Sequence, residues 1–105
     1  MKVLIVDDEV IIRTGLCTMV EWAENGFSVL PPAESAEEAL ERFLAERPEL
    51  IFTDIRMTGM SGLDLVREVK RESPDTEIIV ISGYDDFDYA REALREGVSD
   101  YLLKT

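Results

Sequence analysis

Residues 3–12 read VLIVDDEVII. Four apolar residues with strong strand character, Val3 to Val6, run straight into Asp7, Asp8 and Glu9, and the apolar character then resumes. A buried strand that ends on acids and passes into a helix-spaced segment is the start of a strand–helix unit. Three adjacent carboxylates repel one another, so their placement there calls for a counter-charge.

Outward from this stretch the same alternation repeats. KVLIVD (2–7), FSVL (27–30), ELIFTD (49–54), EIIVIS (77–82) and DYLL (100–103) are short apolar runs. Most are near-continuous, as strands covered on both faces tend to be. Between them lie helix-spaced segments. SAEEALERFLAERP (35–48) sets Ala36, Ala39, Leu40, Phe43 and Leu44 on one stripe, with a capping box of Ser35 and Glu38 at its start and Pro48 at its close. The first helix is expected to follow Asp8, to bury Ile12, Leu16, Met19, Val20 and Ala23, and to stop near Gly26. A third runs from Ser61 toward Glu72 with Leu63, Val66 and Val69 inward, and Pro74 just past its end. The fourth runs from about Asp85 to Glu96, carries Phe87, Ala90, Ala93 and Leu94, and stops at Gly97.

Strands that alternate with helices predict an α/β domain built on a parallel sheet, because parallel neighbours need crossover connections. At 105 residues the chain is one domain, with no linker, repeat or low-complexity stretch. Its 11 basic and 23 acidic side chains leave a formal charge of −12, which argues against this domain gripping nucleic acid or an anionic membrane by itself. One cysteine excludes an internal disulfide, and the lack of histidine excludes a Cys/His zinc site. With no leader and no long apolar span, a cytoplasmic setting and no membrane contact are expected. Cys17 reads as an inert packing residue beside the apolar stripe, and Trp22 as packing near the helix end with no chemistry.

Polar residues close the apolar runs. Asp7 and Asp8 end the first strand, Asp54 the third, Ser82 the fourth and Lys104 the fifth. The carboxyl edge of an open parallel sheet is where ligands bind, at the point where strand order reverses. If the order is 2-1-3-4-5, the first and third strands are neighbours and Asp7, Asp8 and Asp54 converge. With only oxygen ligands available, the natural counter-ion is Mg²⁺.

VLIVDDE (3–9), FTDIRMTGMSGLDL (52–65), ISGYDDF (81–87) and GVSDYLLK (97–104) together resemble the successive signatures of the receiver domain of two-component response regulators, in order and at the right separations. The resemblance implies a flavodoxin-like, doubly wound parallel five-stranded sheet of order 2-1-3-4-5. It implies that Asp54 is the phosphoacceptor, that Asp7, Asp8, Asp54 and the backbone carbonyl of Arg56 hold Mg²⁺, that Ser82 is the switch hydroxyl, that Lys104 contacts the phosphoryl group, and that Tyr101 is the switch aromatic. It also implies a sensor histidine kinase as donor and an output controlled through the fourth helix and fifth strand. SGYDDFDYAREAL (82–94) resembles receivers attached to AraC-type helix-turn-helix outputs, so any DNA contact would come through an output domain absent here, with transcription as the output.

Three departures stand out. Thr58 stands where a proline commonly follows Arg-Met, and Thr105 where proline commonly follows the lysine. The chain also stops after the fifth strand, where receivers add a fifth helix. The expectation is therefore a receiver domain over 1–105, truncated there, with Leu102 or Leu103 exposed and homodimerisation through that face left open. Two other readings stay open at this stage: an interaction module with a vestigial site, which the full set of acids, Ser82 and Lys104 argues against, and a Mg²⁺-dependent phosphohydrolase. The latter commonly spaces its two first-strand acids by two positions, whereas Asp8 follows Asp7 directly.

Overall fold

A computed structural model describes residues 1–19, 21–57, 59–83 and 87–103, with Met19, Phe87 and Leu103 described by their backbone. The expectations for Val20, Thr58, Asp85, Lys104 and Thr105, and for the side chains of Met19, Phe87 and Leu103, lie outside the described residues.

Five strands, β1 (Lys2–Val6), β2 (Ser28–Val29), β3 (Leu50–Asp54), β4 (Glu77–Ser82) and β5 (Asp100–Leu103), form one sheet of order β2-β1-β3-β4-β5. Every pair is parallel. Four helices alternate with them: α1 (Val10–Met19), α2 (Ala36–Glu46), α3 (Gly62–Glu72) and α4 (Phe87–Arg95). This is the doubly wound flavodoxin-like topology that the motifs imply.

Side-chain alternation along the strands feeds two cores. Leu4, Val6, Ile51, Ile78 and Val80 pack with Ala39 and Phe43 of α2, Leu65, Val66 and Val69 of α3, and Ala93 of α4. Val3, Ile5, Leu50 and Phe52 face the opposite layer, where they meet Leu16 and Cys17 of α1, Trp22 and Phe27. β1 is buried on both faces, which is why its sequence is a continuous apolar run.

Several boundaries differ from the sequence expectation, each for a local reason. β2 pairs over two residues only, because Pro31 and Pro32 have no amide to donate; the chain rejoins β1 at Ala33, whose oxygen accepts the Asp7 amide at 3.1 Å. Ala23 is exposed. It opens a single 3₁₀ turn (Ala23–Asn25) that interrupts the α-helical spacing, and Trp22 takes the inward position instead, its Nε1 donating to the Leu16 carbonyl at 2.9 Å and its ring edge-on to Phe27 and Phe52. Gly26 and Gly97 adopt the expected left-handed φ of +84° and +99°. Leu44 and Leu94 remain exposed at the margins of their helical stripes.

The capping box also moves. Ser35 Oγ accepts from the Glu38 amide, but the Glu38 carboxylate pairs with Arg42 at 3.1 Å. The full reciprocal box forms at α3, between Ser61 and Asp64.

Candidate functional site

The register of the sheet assembles the carboxyl edge. Val6 pairs with Thr53 and Asp54 with Ile81, so Asp7 emerges beside the end of β3, and Ser82 follows the residue opposite Asp54. Asp7 is fully buried. Its Oδ1 accepts from the Glu9 amide at 2.9 Å, and its carbonyl accepts from Arg13 Nη1 at 2.7 Å. The first of these bonds turns the chain sharply, which brings the exposed Asp8 and Glu9 side chains back over the strand end.

Asp54 is 4% exposed, and its Oδ1 lies 3.4 Å from the Arg56 amide. Thr53 Oγ1 donates to the Asp54 carbonyl at 2.9 Å. Gly62, first residue of α3, presses on the same point: a Cβ there would fall 2.0 Å from the Asp54 carbonyl oxygen, while the Gly62 amide donates to the Ile55 carbonyl. The loop from Ile55 to Ser61 is thus clamped at both ends.

Carboxylate oxygens of Asp7, Asp8, Glu9 and Asp54 lie within 4.8 Å of one another. Two of these residues are buried and two are exposed, so the cluster opens to solvent on one side. Like charges this close favour a counter-charge, and an all-oxygen set suits a hard divalent ion. Ser82 is fully buried, and its hydroxyl has no hydrogen-bond partner among the described residues, which leaves it available to a group that arrives at the edge. Tyr101 is half-buried against the main core, paired with Val80 two positions before Ser82.

The structure therefore brings together Asp7, Asp8 and Asp54, with the Arg56 amide, not its carbonyl, at hydrogen-bonding distance of Asp54 and with Ser82 on the same edge. Lys104 lies outside the described residues. Glu9 joins the cluster although the sequence reading gave it no ligand role; its membership of the acidic run was the available signal. The Arg56 side chain was likewise unassigned, and it lies with its guanidinium carbon 5.6 Å from the centroid of the Tyr89 ring on α4.

Comparisons with known proteins converge on one family. A model described as the response regulator receiver domain matches residues 3–105. The uncharacterized transcriptional regulatory protein YesN of Bacillus subtilis is 42% identical over 98% of this chain and 28% of its own length. Transcriptional regulatory protein HptR of Staphylococcus aureus is 41% identical over 98% of this chain and 40% of its own. The chain thus spans well under half the length of these curated relatives. Among solved structures, the REC domain of AraT, a response regulator from Geobacillus stearothermophilus, superposes with a TM-score of 0.93 at 48% identity, covering 98% of this chain and 80% of that one. A two-component transcriptional regulator AraC from Clostridium phytofermentans gives 0.89 at 32% identity, covering 99% and 81%.

Proposed function

Because the chain belongs to the response regulator receiver family, we propose that residues 1–105 act as a phosphoacceptor domain that takes a phosphoryl group onto Asp54 from a phosphohistidine of a sensor kinase. The observation that carries this reading is the meeting of the Asp7, Asp8, Glu9 and Asp54 carboxylates around the buried end of β3.

In the proposed transfer an Asp54 carboxylate oxygen attacks phosphorus in line, the phosphorus–nitrogen bond breaks, and the imidazole leaves. Asp54 becomes an acyl phosphate. Asp7, Asp8 and Asp54, with the Arg56 carbonyl and with Glu9 beside them, would hold Mg²⁺. That ion, when bound, supplies positive charge against the phosphoryl oxygens. Burial of Asp7 and its bond from the Glu9 amide keep the acidic turn in place, so the cluster is set before any donor arrives.

Ser82 Oγ is buried, without a partner among the described residues, and one step along β4 from the Ile81 that pairs with Asp54. It is the donor we assign to the acyl phosphate. Its approach would alter the packing beneath α4, where Tyr101 is the aromatic that responds. Lys104 is assigned the phosphoryl contact on the family pattern alone. The domain thus promotes its own Mg²⁺-dependent phosphorylation and serves as a signalling element. The output is transcription, as the names of the relatives suggest, with DNA reached through a separate output domain and not through this acidic surface. A cytoplasmic setting fits a domain in which, among the described residues, no helix is long and apolar enough to cross a membrane. Self-association of the switched surface is the accompanying proposal.

The test is the intact mass after incubation with acetyl phosphate and Mg²⁺. One phosphoryl adduct is expected, absent with chelator and absent in Asp54→Asn. An adduct that persists in Asp54→Asn would refute the assignment, and rapid release of inorganic phosphate with no adduct would favour a hydrolase.

A further inference from the structure

Helix α4 packs on β4, β5 and α3. Among its described side chains Ala90 and Ala93 are buried, whereas Tyr89 and Leu94 are 46% and 41% exposed. Among the described side chains of this helix only these two small residues are fully buried, so polar contacts from outside it help to set its position. Arginines supply them. Arg67 of α3 reaches Glu92 at 3.5 Å and Glu96 at 3.2 Å. Arg56, in the loop after β3, lies over the Tyr89 ring. Tyr89 also lines a cleft of about 210 Å³ with Leu63 of α3 and with Asp88 and Glu92 of its own helix, so the ring sits at the seam between α3 and α4.

Arg56 meets both the Asp54 carboxylate and a side chain of α4. Its amide nitrogen is 3.4 Å from Asp54 Oδ1, and its guanidinium carbon is 5.6 Å from the centroid of the Tyr89 ring. We propose that Arg56 is a positioning residue that couples the chemical state of the Asp54 carboxylate to the seat of α4 through Tyr89. This inference rests on Asp54 being the phosphoacceptor. The 3.4 Å contact is long for a hydrogen bond, so it responds to small changes in its acceptor. Phosphorylation turns a carboxylate oxygen, a strong charged acceptor, into part of a neutral acyl group and adds a phosphoryl anion alongside. The first change acts on the Arg56 amide, and the second adds negative charge that would draw its guanidinium away from Tyr89. A cation held over an aromatic face is a directional contact, so displacement of the guanidinium removes one tie on α4. The helix then reseats.

The experiment follows the amide resonances of Ala90 and Ala93 in the full chain during exposure to acetyl phosphate and Mg²⁺, with intact mass measured on the same samples. Tyr89→Leu keeps apolar bulk and removes the aromatic face; Tyr89→Phe keeps the face and removes the hydroxyl. The unsubstituted protein and Tyr89→Phe are expected to show shifts in both amides on phosphorylation. Tyr89→Leu is expected to form the Asp54 adduct and to lose most of those shifts. Arg56→Gln, compared at equal adduct, is expected to lose the same shifts, and the double variant no more than either single one. Full α4 shifts in a phosphorylated Tyr89→Leu sample overturn the coupling and leave the Asp54 assignment intact. Should Tyr89→Leu fail to fold, full shifts in phosphorylated Arg56→Gln overturn it equally. Absence of any adduct in the unsubstituted protein overturns the Asp54 assignment and the coupling with it.

Discussion

Gly62 leaves no room for a side chain. A methyl group there would overlap the Asp54 carbonyl oxygen, which is rigid backbone at the end of a central strand. Gly62→Ala is therefore expected to destabilise the domain by about 1–3 kcal/mol, read from the urea midpoint, and to slow adduct formation at Asp54 by moving the strand end. An unchanged midpoint would show that α3 can shift without cost. Cys17 offers a second residue-scale test. Burial pushes its thiol above the ordinary value of 9.0, with the nearby Arg13 charge opposing in part. A raised value means that the folded chain binds this proton more tightly than the unfolded one. The corresponding stability is complete below the ordinary thiol range and is lost as pH rises through the folded value. The rate of alkylation by iodoacetamide should accordingly inflect at higher pH in native protein than in urea. Cys17 packs against the smaller core, as the apolar spacing around it conveyed.

At the scale of elements, α4 and α3 are tied by charge. Arg67 faces Asp64, Glu92 and Glu96 at 3.7, 3.5 and 3.2 Å, and its side chain is 45% exposed, so solvent screens each pair. Arg67→Ala should cost no more than about 1 kcal/mol of global stability. It should nonetheless raise hydrogen exchange of the α4 amides selectively, an effect that added salt reproduces in the unsubstituted protein. Equal exchange in both proteins would mean that the helix is seated without the Arg67 pairs. The five strands and four helices were legible from apolar runs, spacing and stop signals. The margins were not. Leu44 and Leu94 satisfy helical spacing, yet they are only partly covered, and periodicity carries no information on how wide the covering layer is. Ala23 failed for a different reason, since the 3₁₀ turn breaks the period that placed it. Of Leu102 and Leu103, one of which was expected to be exposed on the last strand, Leu102 is 47% exposed.

For the whole molecule, a formal charge of −12 with four carboxylates gathered at one edge makes self-repulsion a cost of the compact state. Without divalent ions, raising NaCl to about 0.15 M, where the Debye length is about 8 Å, should increase the thermal midpoint. Mg²⁺ at matched ionic strength should increase it further by mass action on the folded state. That extra increment should vanish in Asp7→Asn, whereas the NaCl response should persist. An increment that survives in Asp7→Asn would assign the Mg²⁺ effect to general screening and remove the acids from the binding set.

The order of elements, the identity of the acids and the family signatures were all readable from the linear chain, because periodicity, turn chemistry and motif spacing are local properties. The meeting of Asp7 with Asp54 belongs to another class of fact. It depends on the parallel register of β1 against β3, which local preferences do not specify. Glu9 entered the cluster because one side-chain-to-backbone bond turned the chain over the strand end. Arg56 met Tyr89, and Arg67 met Glu92 and Glu96, because packing brought α3, α4 and the loop after β3 to a common seam. Long flexible side chains reach partners far away in sequence, and only the packed tertiary arrangement selects which ones.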